Sequence, residues 1–178
     1  MKPKYAPILA ILTLLSLAPA GAAESKHGVG IAGVSGIFDC EFCFGPYNFV
    51  GFSLFGKIGF DSHWGLLITY RDMDDEEFVI FGDEDSYTQW GVQAAYMWRP
   101  SKPFRPYVKF GLERTDYTSE DSILVTVSDD GTSLAVGGGF EAGSQRVAFV
   151  LDYDFTVVEL FGRDSDIGNA GAGIIFKF

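Results

Sequence analysis

Apolar residues alternate with polar or small residues along eight segments of the chain. The clearest case runs from Arg146 to Val158, where Val147, Phe149 and Leu151 share one face and Asp152 and Asp154 lie on the other. A period of two places successive side chains on opposite faces of a strand. We therefore predict strands over residues 27–38, 47–60, 64–71, 87–98, 107–117, 132–142, 146–158 and 167–178.

Short and long connections alternate between the predicted strands. The short turns lie at 61–63, 99–106 and 143–145, and the long loops at 39–46, 72–85, 118–131 and 159–166. Inside the third loop, Ile123–Val127 has strand character and Asp130-Gly131 is favoured in two-residue hairpin turns. We expect a protruding hairpin there and leave its register open. An even number of strands with alternating connections is typical of a membrane barrel.

A soluble barrel of the lipocalin kind shows the same alternation with its apolar face inside, so the two faces have to be told apart. The less apolar face is rich in glycine, which suits the crowded interior of a narrow barrel better than a water-facing surface. Aromatic residues gather near the short-turn ends, as in an interfacial belt. These are Phe60, Trp64, Tyr96, Trp98, Phe176 and Phe178. We predict that the apolar face contacts lipid.

Charged residues on the less apolar face are equal in number for the two signs. Four are basic and four acidic: Lys57, Arg71, Lys109, Lys177, Glu113, Glu141, Asp152 and Asp154. Charges confined together have to pair, because an unpaired buried ion costs several kcal/mol. We predict that these eight residues form a network inside the barrel that braces it and fills its bore.

The first residues read as an export signal. Lys2 and Lys4 precede an apolar run over 6–17, and Ala20-Gly21-Ala22 gives a small-residue cleavage site. The run is too short to span a bilayer as a helix. We expect residues 1–22 to be removed and residues 23–178 to form one barrel domain. Cys40 and Cys43 then reach an oxidising compartment, where a local disulfide between them is possible.

The long connections carry most of the acidic residues and contribute much of the formal charge of −11, which argues against nucleic-acid binding. They are Asp39, Glu41, Asp72, Asp74, Asp75, Glu76, Glu77, Asp83, Glu84, Asp85, Glu120, Asp121, Asp129, Asp130, Asp164 and Asp166. A solvated acidic surface is the plain interpretation. A weak divalent-cation site at Asp74, Asp75, Glu76 and Glu77 is the functional alternative, although the run lacks the glycine of an EF-hand loop. We expect no resident cofactor or metal.

Over residues 23–178 the chain resembles the small eight-stranded outer-membrane proteins of the outer-membrane-protein-A, opacity-protein and adhesion/invasion kind. The resemblance rests on Arg105–Leu112, Leu134–Glu141, Val147–Phe155 and the terminal Phe178. It implies a closed antiparallel all-β barrel in the outer membrane, with short periplasmic turns and long acidic extracellular loops. It also implies that Phe176 and Phe178 signal to the barrel-assembly machinery, and that outer-membrane lipid and lipopolysaccharide surround a monomer.

Three functions remain open. A non-enzymatic role in envelope structure or in adhesion through the acidic loops is favoured, with an unknown extracellular ligand. A small or gated porin-like channel is the alternative, although eight strands leave a bore that side chains just fill. A lipid A-modifying enzyme comes third, because a serine–histidine site needs an oriented base and the two histidines, His27 and His63, lie near the chain start and in a short turn. We expect no catalysis.

Overall fold

Eight antiparallel strands form one closed barrel in the computed structural model, which describes residues 27–40, 47–60, 63–75, 84–98, 102–121 and 125–178. The strands are β1 (Gly28–Cys40), β2 (Tyr47–Gly59), β3 (Trp64–Asp75), β4 (Glu84–Met97), β5 (Phe104–Asp121), β6 (Val125–Gly143), β7 (Val147–Leu160) and β8 (Arg163–Lys177). Each pairs with its sequence neighbours, and β8 closes the sheet on β1. The predicted fold class is confirmed.

No helix in the described ranges is long and apolar enough to cross a membrane. The expected export signal, residues 1–22, lies outside the described residues, so its removal stays a prediction.

The side chains alternate between the bore and the outside as predicted. Ile31, Phe110 and Leu134 point outward and are 53%, 55% and 73% exposed, whereas Arg71, Glu113 and Asp154 point inward and are 3% exposed or less. We call the end with the connections at 60–63, 98–103 and 144–146 the turn end. We call the opposite end, where β3, β5 and β7 finish, the acidic end.

The outward side chains change from apolar to charged near the acidic end of the barrel. On four strands the change falls between neighbouring outward residues, namely Ile37 to Asp39, Tyr70 to Asp72, Leu112 to Arg114 and Val157 to Glu159. Below it, the outward run spans nine residues on β5, from Phe104, and eleven on β7, from Val147. A tilted strand needs about 9–11 residues to cross the hydrocarbon core. This run therefore marks a lipid band, and the strands continue beyond it.

Beyond the lipid band the interior changes in the opposite sense and becomes apolar. The buried side chains there are Phe38, Phe49, Met73, Tyr87, Val158, Leu160 and Ile167, all 5% exposed or less. Most outward positions at the same level are polar or acidic, with Val50 and Phe52 of β2 as apolar exceptions. The extension has the polarity of a water-soluble barrel, and the sequence interpretation, which placed loops here, missed it.

The expected turn at Asp130-Gly131 is wrong. β6 is continuous from Val125 to Gly143, and Asp130 and Gly131 pair with Asp116 and Thr115 of β5. β5 runs to Asp121 and β6 begins at Val125, so the connection between them lies elsewhere. Gly131 serves packing, because a Cβ there would collide with the side chain of Val158. Long cross-strand pairing overrides the local turn preference of an Asp-Gly pair.

The expected loop over 159–166 is also wrong. β7 runs to Leu160 and β8 begins at Arg163, so two residues make the turn. Phe161 and Gly162 have φ values of 54° and 71°, the signature of a type I′ hairpin turn. Glycine adopts this conformation freely but phenylalanine does not. Because phenylalanine is rare in such turns, the sequence did not predict this one.

Hydrogen bonds that involve side chains join the β5–β6 hairpin to the β7–β8 hairpin beyond the point where the β6–β7 ladder stops. Its registered pairs run from Gly143↔Ala148 to Ala135↔Thr156. The Thr156 hydroxyl then donates to the Leu134 carbonyl over 3.0 Å, and the Phe161 backbone N–H donates to the Asp129 carboxylate. These contacts hold the β7–β8 turn against β6.

Long and short connections do not alternate throughout, because two of the expected long loops are taken up by extended strands. β3 reaches Asp75 and β4 starts at Glu84, so the expected 72–85 connection is also shorter. β5 begins at Phe104 and includes Pro106, which the prediction treated as part of a turn. Proline is tolerated close to a strand end.

We predict that position relative to the lipid band decides whether a charge is tolerated. Val108 on β5 and Ser128 on β6 both point outward and are exposed, but only Val108 lies in the band. Val108→Arg is expected to cost about 2–4 kcal/mol, as a basic residue does near the bilayer midplane. Ser128→Arg is expected to change the free energy of unfolding by about 0.5 kcal/mol or less.

The measurement is the fraction of protein that reaches the heat-modifiable folded form in phospholipid vesicles, together with its urea midpoint. Equal losses for the two arginine variants would contradict the position of the band.

Candidate functional site

Five charged residues meet inside the barrel at the level of the lipid band. This central cluster consists of Arg71, Lys109, Glu113, Asp152 and Asp154. The strand register places glycines beside several of them: Gly91 pairs with Glu113, and Gly137 pairs with both Lys109 and Asp154. A Cβ at Gly91 would lie 2.7 Å from the Glu113 side chain. The inward glycines thus make room for long charged side chains.

Arg71 is the residue that joins the cluster together. Its Nη1 donates to Glu113 Oε1 over 3.0 Å, and its Nη2 donates to Asp154. Lys109 donates to Asp154 Oδ2 over 2.8 Å and also to Asp152. Both cations are 3% exposed or less. Ions this far from water are stable only when paired and hydrogen-bonded, and the cluster meets that condition.

Uncharged polar residues continue the cluster toward the acidic end. Asn169 Nδ2 donates to Gln89 Oε1 over 2.8 Å and to Asp154 Oδ1 over 3.2 Å. Gln89 donates in turn to Thr115 over 3.0 Å, and the Tyr87 hydroxyl donates to Asn169 Oδ1 over 2.9 Å. The hydrogen bonds therefore run from the charges up to the aromatic residues of the extension.

A second group of charges lies nearer the turn end. This turn-end cluster consists of Lys57, Arg105, Glu141 and Lys177. Lys57 Nζ donates to Glu141 Oε1 over 2.7 Å, while Lys177 Nζ and Arg105 Nε approach Oε2, the latter at 3.3 Å. Arg105 Nη2 also donates to the Ser144 carbonyl over 3.2 Å.

The structure brings all eight predicted interior charges into these two clusters and adds Arg105, which the sequence interpretation placed in a turn. The expected balance of four against four is therefore wrong, since the two clusters together hold five cations and four carboxylates. The alternation of Arg105, Tyr107 and Lys109 was the available signal. It was discounted because Pro103 and Pro106 were taken to end the strand.

Four aromatic rings close the bore above the central cluster. In this ring layer Tyr117 stacks on Phe38, Phe38 meets Phe49, and Phe49 meets Tyr87 edge-on, with ring centroids 5.4, 6.3 and 4.7 Å apart. The rings come from β5, β1, β2 and β4. Aromatic pairs prefer such stacked and edge-on arrangements. The ring layer separates the polar interior from the acidic end.

A cavity of about 40 Å³ lies on the other side of the ring layer. Lys57, Tyr107, Lys109, Glu141 and Asp152 contribute to its wall. It has room for about two to four water molecules. The side chains of Lys57 and Asp152 are 15% and 23% exposed, whereas those of Glu113 and Asp154 are fully buried. The two partly exposed side chains of this set are thus those that line the cavity.

The remaining predicted site residues do not converge on one place. Asp74 and Asp75 are successive residues of β3 and point to opposite faces, while Glu76 and Glu77 lie outside the described residues. In the described part of the chain, no three His, Cys, Asp or Glu residues are grouped to hold a metal ion. Cys43 and the Cys40 side chain also lie outside the described part, so the disulfide remains a prediction.

The histidines and the terminal aromatics all lie at the turn end. His63 stacks on Tyr96 and His27 approaches Phe178, with ring centroids 5.7 and 6.5 Å apart. Phe176 points outward and is 53% exposed. The histidines are therefore parts of an aromatic rim, as expected of an interfacial belt.

The sequence model of the outer membrane protein beta-barrel domain matches residues 8–178 of this chain. The chain belongs to that family. Outer-membrane localisation follows from membership and agrees with the lipid band on the barrel's surface. No curated protein matches the chain significantly in sequence.

Solved structures of other outer-membrane barrels share the fold. Neisserial surface protein A matches with a TM-score of 0.70 and 14% identity over 86% of this chain and 98% of its own. The attachment invasion locus protein Ail of Yersinia pestis matches with a TM-score of 0.63 and 18% identity over 88% of this chain and 100% of its own. The N-terminal β-barrel domain of Pseudomonas aeruginosa OprF matches with a TM-score of 0.53 and 17% identity over 84% of this chain and 97% of its own. At these identities the likeness concerns architecture.

For this outer-membrane barrel, we predict that Arg71 contributes more to stability than any exposed arginine. Arg71→Met would leave Glu113 without its cation and Asp154 with one fewer, which is expected to cost about 3–5 kcal/mol. Arg114 provides a matched control, because it also contacts two carboxylates, Asp116 and Asp130, but is 39% exposed. Arg114→Met is expected to cost about 1 kcal/mol or less.

The free energies come from urea titrations of the folded protein in phospholipid vesicles. Similar costs for the two methionine variants would mean that the central cluster does not stabilise the barrel.

We also predict that the ring layer blocks ions. The wild type is expected to carry no steady current in a planar bilayer, whereas Phe38→Ala combined with Phe49→Ala gives brief openings, because the polar network alone then obstructs the bore. Phe52→Ala combined with Phe110→Ala, which removes two outward rings, is the control. Steady wild-type conductance would show that the ring layer is no seal and would favour the porin-like alternative.

Proposed function

We propose that this outer-membrane protein is a non-enzymatic surface protein that attaches to cationic partners through the extension at its acidic end. The observation that carries the proposal is the extension itself. Residues beyond the lipid band form a continuation of the barrel with an apolar interior and an acidic exterior. A barrel that served only to span the membrane would need no such folded extension.

The exterior of the extension is strongly acidic. Its outward carboxylates on the described strands are Asp39, Asp72, Asp74, Asp116, Asp130, Glu159, Asp164 and Asp166, and Arg114 is the outward basic residue among them. Rigid display of one sign of charge favours rapid association with a partner of the opposite sign. A basic protein surface is the partner chemistry that fits.

Among the side chains that the structure describes, like charges lie opposite each other at three places on this exterior. At one of them, between Asp116 and Asp130, Arg114 contacts both carboxylates. At the other two, Asp39 pairs with Asp166 in the β1–β8 register, and Glu159 pairs with Asp164 in the β7–β8 register. Like charges directly opposite in a sheet are destabilising by about 0.2–1 kcal/mol. We call these four residues the acidic patch. Retaining two such pairs at a cost in stability supports a binding role for them.

The same geometry supports this function over its alternatives. A closed ring layer and a filled bore favour a non-conducting protein, and histidines at the turn-end rim favour a non-catalytic one. Ail has been solved with the heparin analogue sucrose octasulfate. An acidic extension would repel such a sulfated sugar, so we propose a partner of opposite charge for this chain.

Orientation and the other partners form part of the same proposal. The acidic end faces outward from the cell and the turn end faces the periplasm, as short turns do in this class of barrel. The lipid band contacts outer-membrane lipid and lipopolysaccharide, the barrel is a monomer, and Phe176 and Phe178 carry the assembly signal.

We predict that neutralising the acidic patch weakens binding of intact expressing cells to a basic Lys/Arg peptide by about tenfold and raises stability. The variant carries Asp39→Asn, Glu159→Gln, Asp164→Asn and Asp166→Asn. Its stability rises because two like-charge pairs disappear. Fluorescence of a labelled peptide measures binding, and labelled heparin is expected not to bind.

The matched control neutralises four acidic residues of the same exterior on other strands, through Asp72→Asn, Asp74→Asn, Asp116→Asn and Asp130→Asn. It is expected to weaken binding about threefold or less. Equal losses of peptide binding by the two variants would show that net charge alone explains the effect. Absence of peptide binding to intact wild-type cells would overturn the proposed function.

A further inference from the structure

The turn-end cluster contains more positive charge than its own acid can neutralise. Lys57, Arg105 and Lys177 all pair with the single carboxylate of Glu141. Both oxygens of Glu141 are engaged, Oε1 by Lys57 and Oε2 by Lys177 and Arg105. Within the described residues the cluster therefore has a net charge of +2.

The central cluster, with two cations and three carboxylates, has a net charge of −1, which is only half of what the turn-end cluster lacks. Its three carboxylates are held by Arg71 and Lys109, and Asp152 also accepts a 2.6 Å hydrogen bond from the Tyr107 hydroxyl. No ion pair between described residues joins the two clusters. The excess of positive charge thus remains at the turn end.

Burial makes this excess unfavourable unless an anion accompanies it. The side chains of Arg105, Lys177 and Glu141 are 4%, 5% and 4% exposed, and that of Lys57 is 15% exposed. Removing like charges from water costs several kcal/mol per uncompensated ion. A small anion beside the cluster would offset that cost.

The cations also retain unused hydrogen-bond donors. Arg105 Nε is buried and lacks an aligned hydrogen-bond partner, although it lies 3.3 Å from Glu141. Lys57 Nζ donates to Glu141, and its other polar contact is the sulfur of Met97 at 3.6 Å. Lys177 Nζ donates one bond, to Glu141, among the described residues. An ammonium carries three donors, so several remain for a ligand.

Space for such an anion exists beside the cluster. Lys57 and Glu141 line the cavity of about 40 Å³. Lys102 and Arg146 lie exposed outside the same end and add a positive field that attracts anions. Cations with several free donors suit a phosphate, whose oxygens accept more than one charge-assisted hydrogen bond.

We propose that the turn-end cluster is a phosphate-binding site entered from the turn end of the barrel. The phosphate is either free or the headgroup phosphate of a lipid in the adjoining leaflet, since both present the same oxyanion. Lys57, Lys177 and Arg105 donate to it, and Glu141 holds the three cations together. The site lies at the opposite end from the acidic extension, so it stands or falls independently of the proposed function.

The test is titration calorimetry with inorganic phosphate on the folded full-length protein in dodecyl maltoside. Wild type is expected to bind phosphate and to show a raised unfolding temperature in its presence. Lys57→Met keeps an unbranched side chain of similar length but loses the ammonium and is expected to bind at least about tenfold more weakly. Lys102→Met removes the same charge from the same end outside the bore and is expected to bind within about twofold of wild type.

A second variant separates binding from structure. Glu141→Gln removes the competing anion, so phosphate is expected to bind several-fold more tightly, provided that the heat-modifiable folded form is intact. Loss of a residue needed only for structure would not tighten binding. No phosphate binding by the wild type, equal effects of the Lys57 and Lys102 substitutions, or weaker binding by folded Glu141→Gln would each overturn the proposal.

A further titration with dihexanoylphosphatidylglycerol, a soluble short-chain lipid, distinguishes the two sources. Tighter binding of this lipid than of inorganic phosphate assigns the site to a headgroup, with loss in Lys57→Met as the check. Binding of inorganic phosphate alone assigns it to a free anion.

Discussion

The whole structure depends on closure of the hydrogen-bond ladder between β8 and β1. Inside a bilayer each unpaired backbone N–H or C=O costs several kcal/mol, so a sheet can cross only if its two edges meet. The pairs from Gly28↔Lys177 to Cys40↔Ser165 supply that meeting over thirteen positions. Eight strands closed this tightly leave a narrow bore, and glycine stands beside four of the five charged side chains of the central cluster, namely Lys109, Glu113, Asp152 and Asp154.

The interior has a vertical order that follows from the solvent outside it. Where lipid surrounds the barrel, apolar side chains point outward and the polar ones are left to satisfy each other around Arg71. Where water surrounds it, the order reverses and Phe38, Phe49 and their neighbours fill the bore. The Tyr87 hydroxyl, bonded to Asn169, joins the two regions because its ring belongs to one and its oxygen to the other. One strand can therefore pass through both environments if its apolar side chains change from the outward face to the inward face once along its length.

Sequence reasoning succeeded where a feature depends on the period of two alone. Strand number, the orientation of residues such as Lys109 and Leu112, and the approach of opposite charges within the bore all follow from alternation. It failed where pairing partners decide the outcome. Asp130-Gly131 looks like a turn until β5 is placed beside it, and Phe161-Gly162 does not look like one because phenylalanine rarely takes a positive φ. Arg105 was missed because two prolines outweighed its alternation with Tyr107 and Lys109.

The two boundaries of the lipid band leave the barrel little freedom to slide along the membrane normal. Moving it one way would draw Asp39, Asp72 and Glu159 into hydrocarbon, and moving it the other way would lift Trp64, Trp98 and Phe104 out of the interface. A single helix can tilt to fit a thinner bilayer, but a rigid closed sheet cannot shorten. A bilayer of unsuitable thickness therefore has to deform around the barrel. The protein therefore has a fixed hydrophobic thickness, and the surrounding lipid adjusts its own thickness to relieve the hydrophobic mismatch.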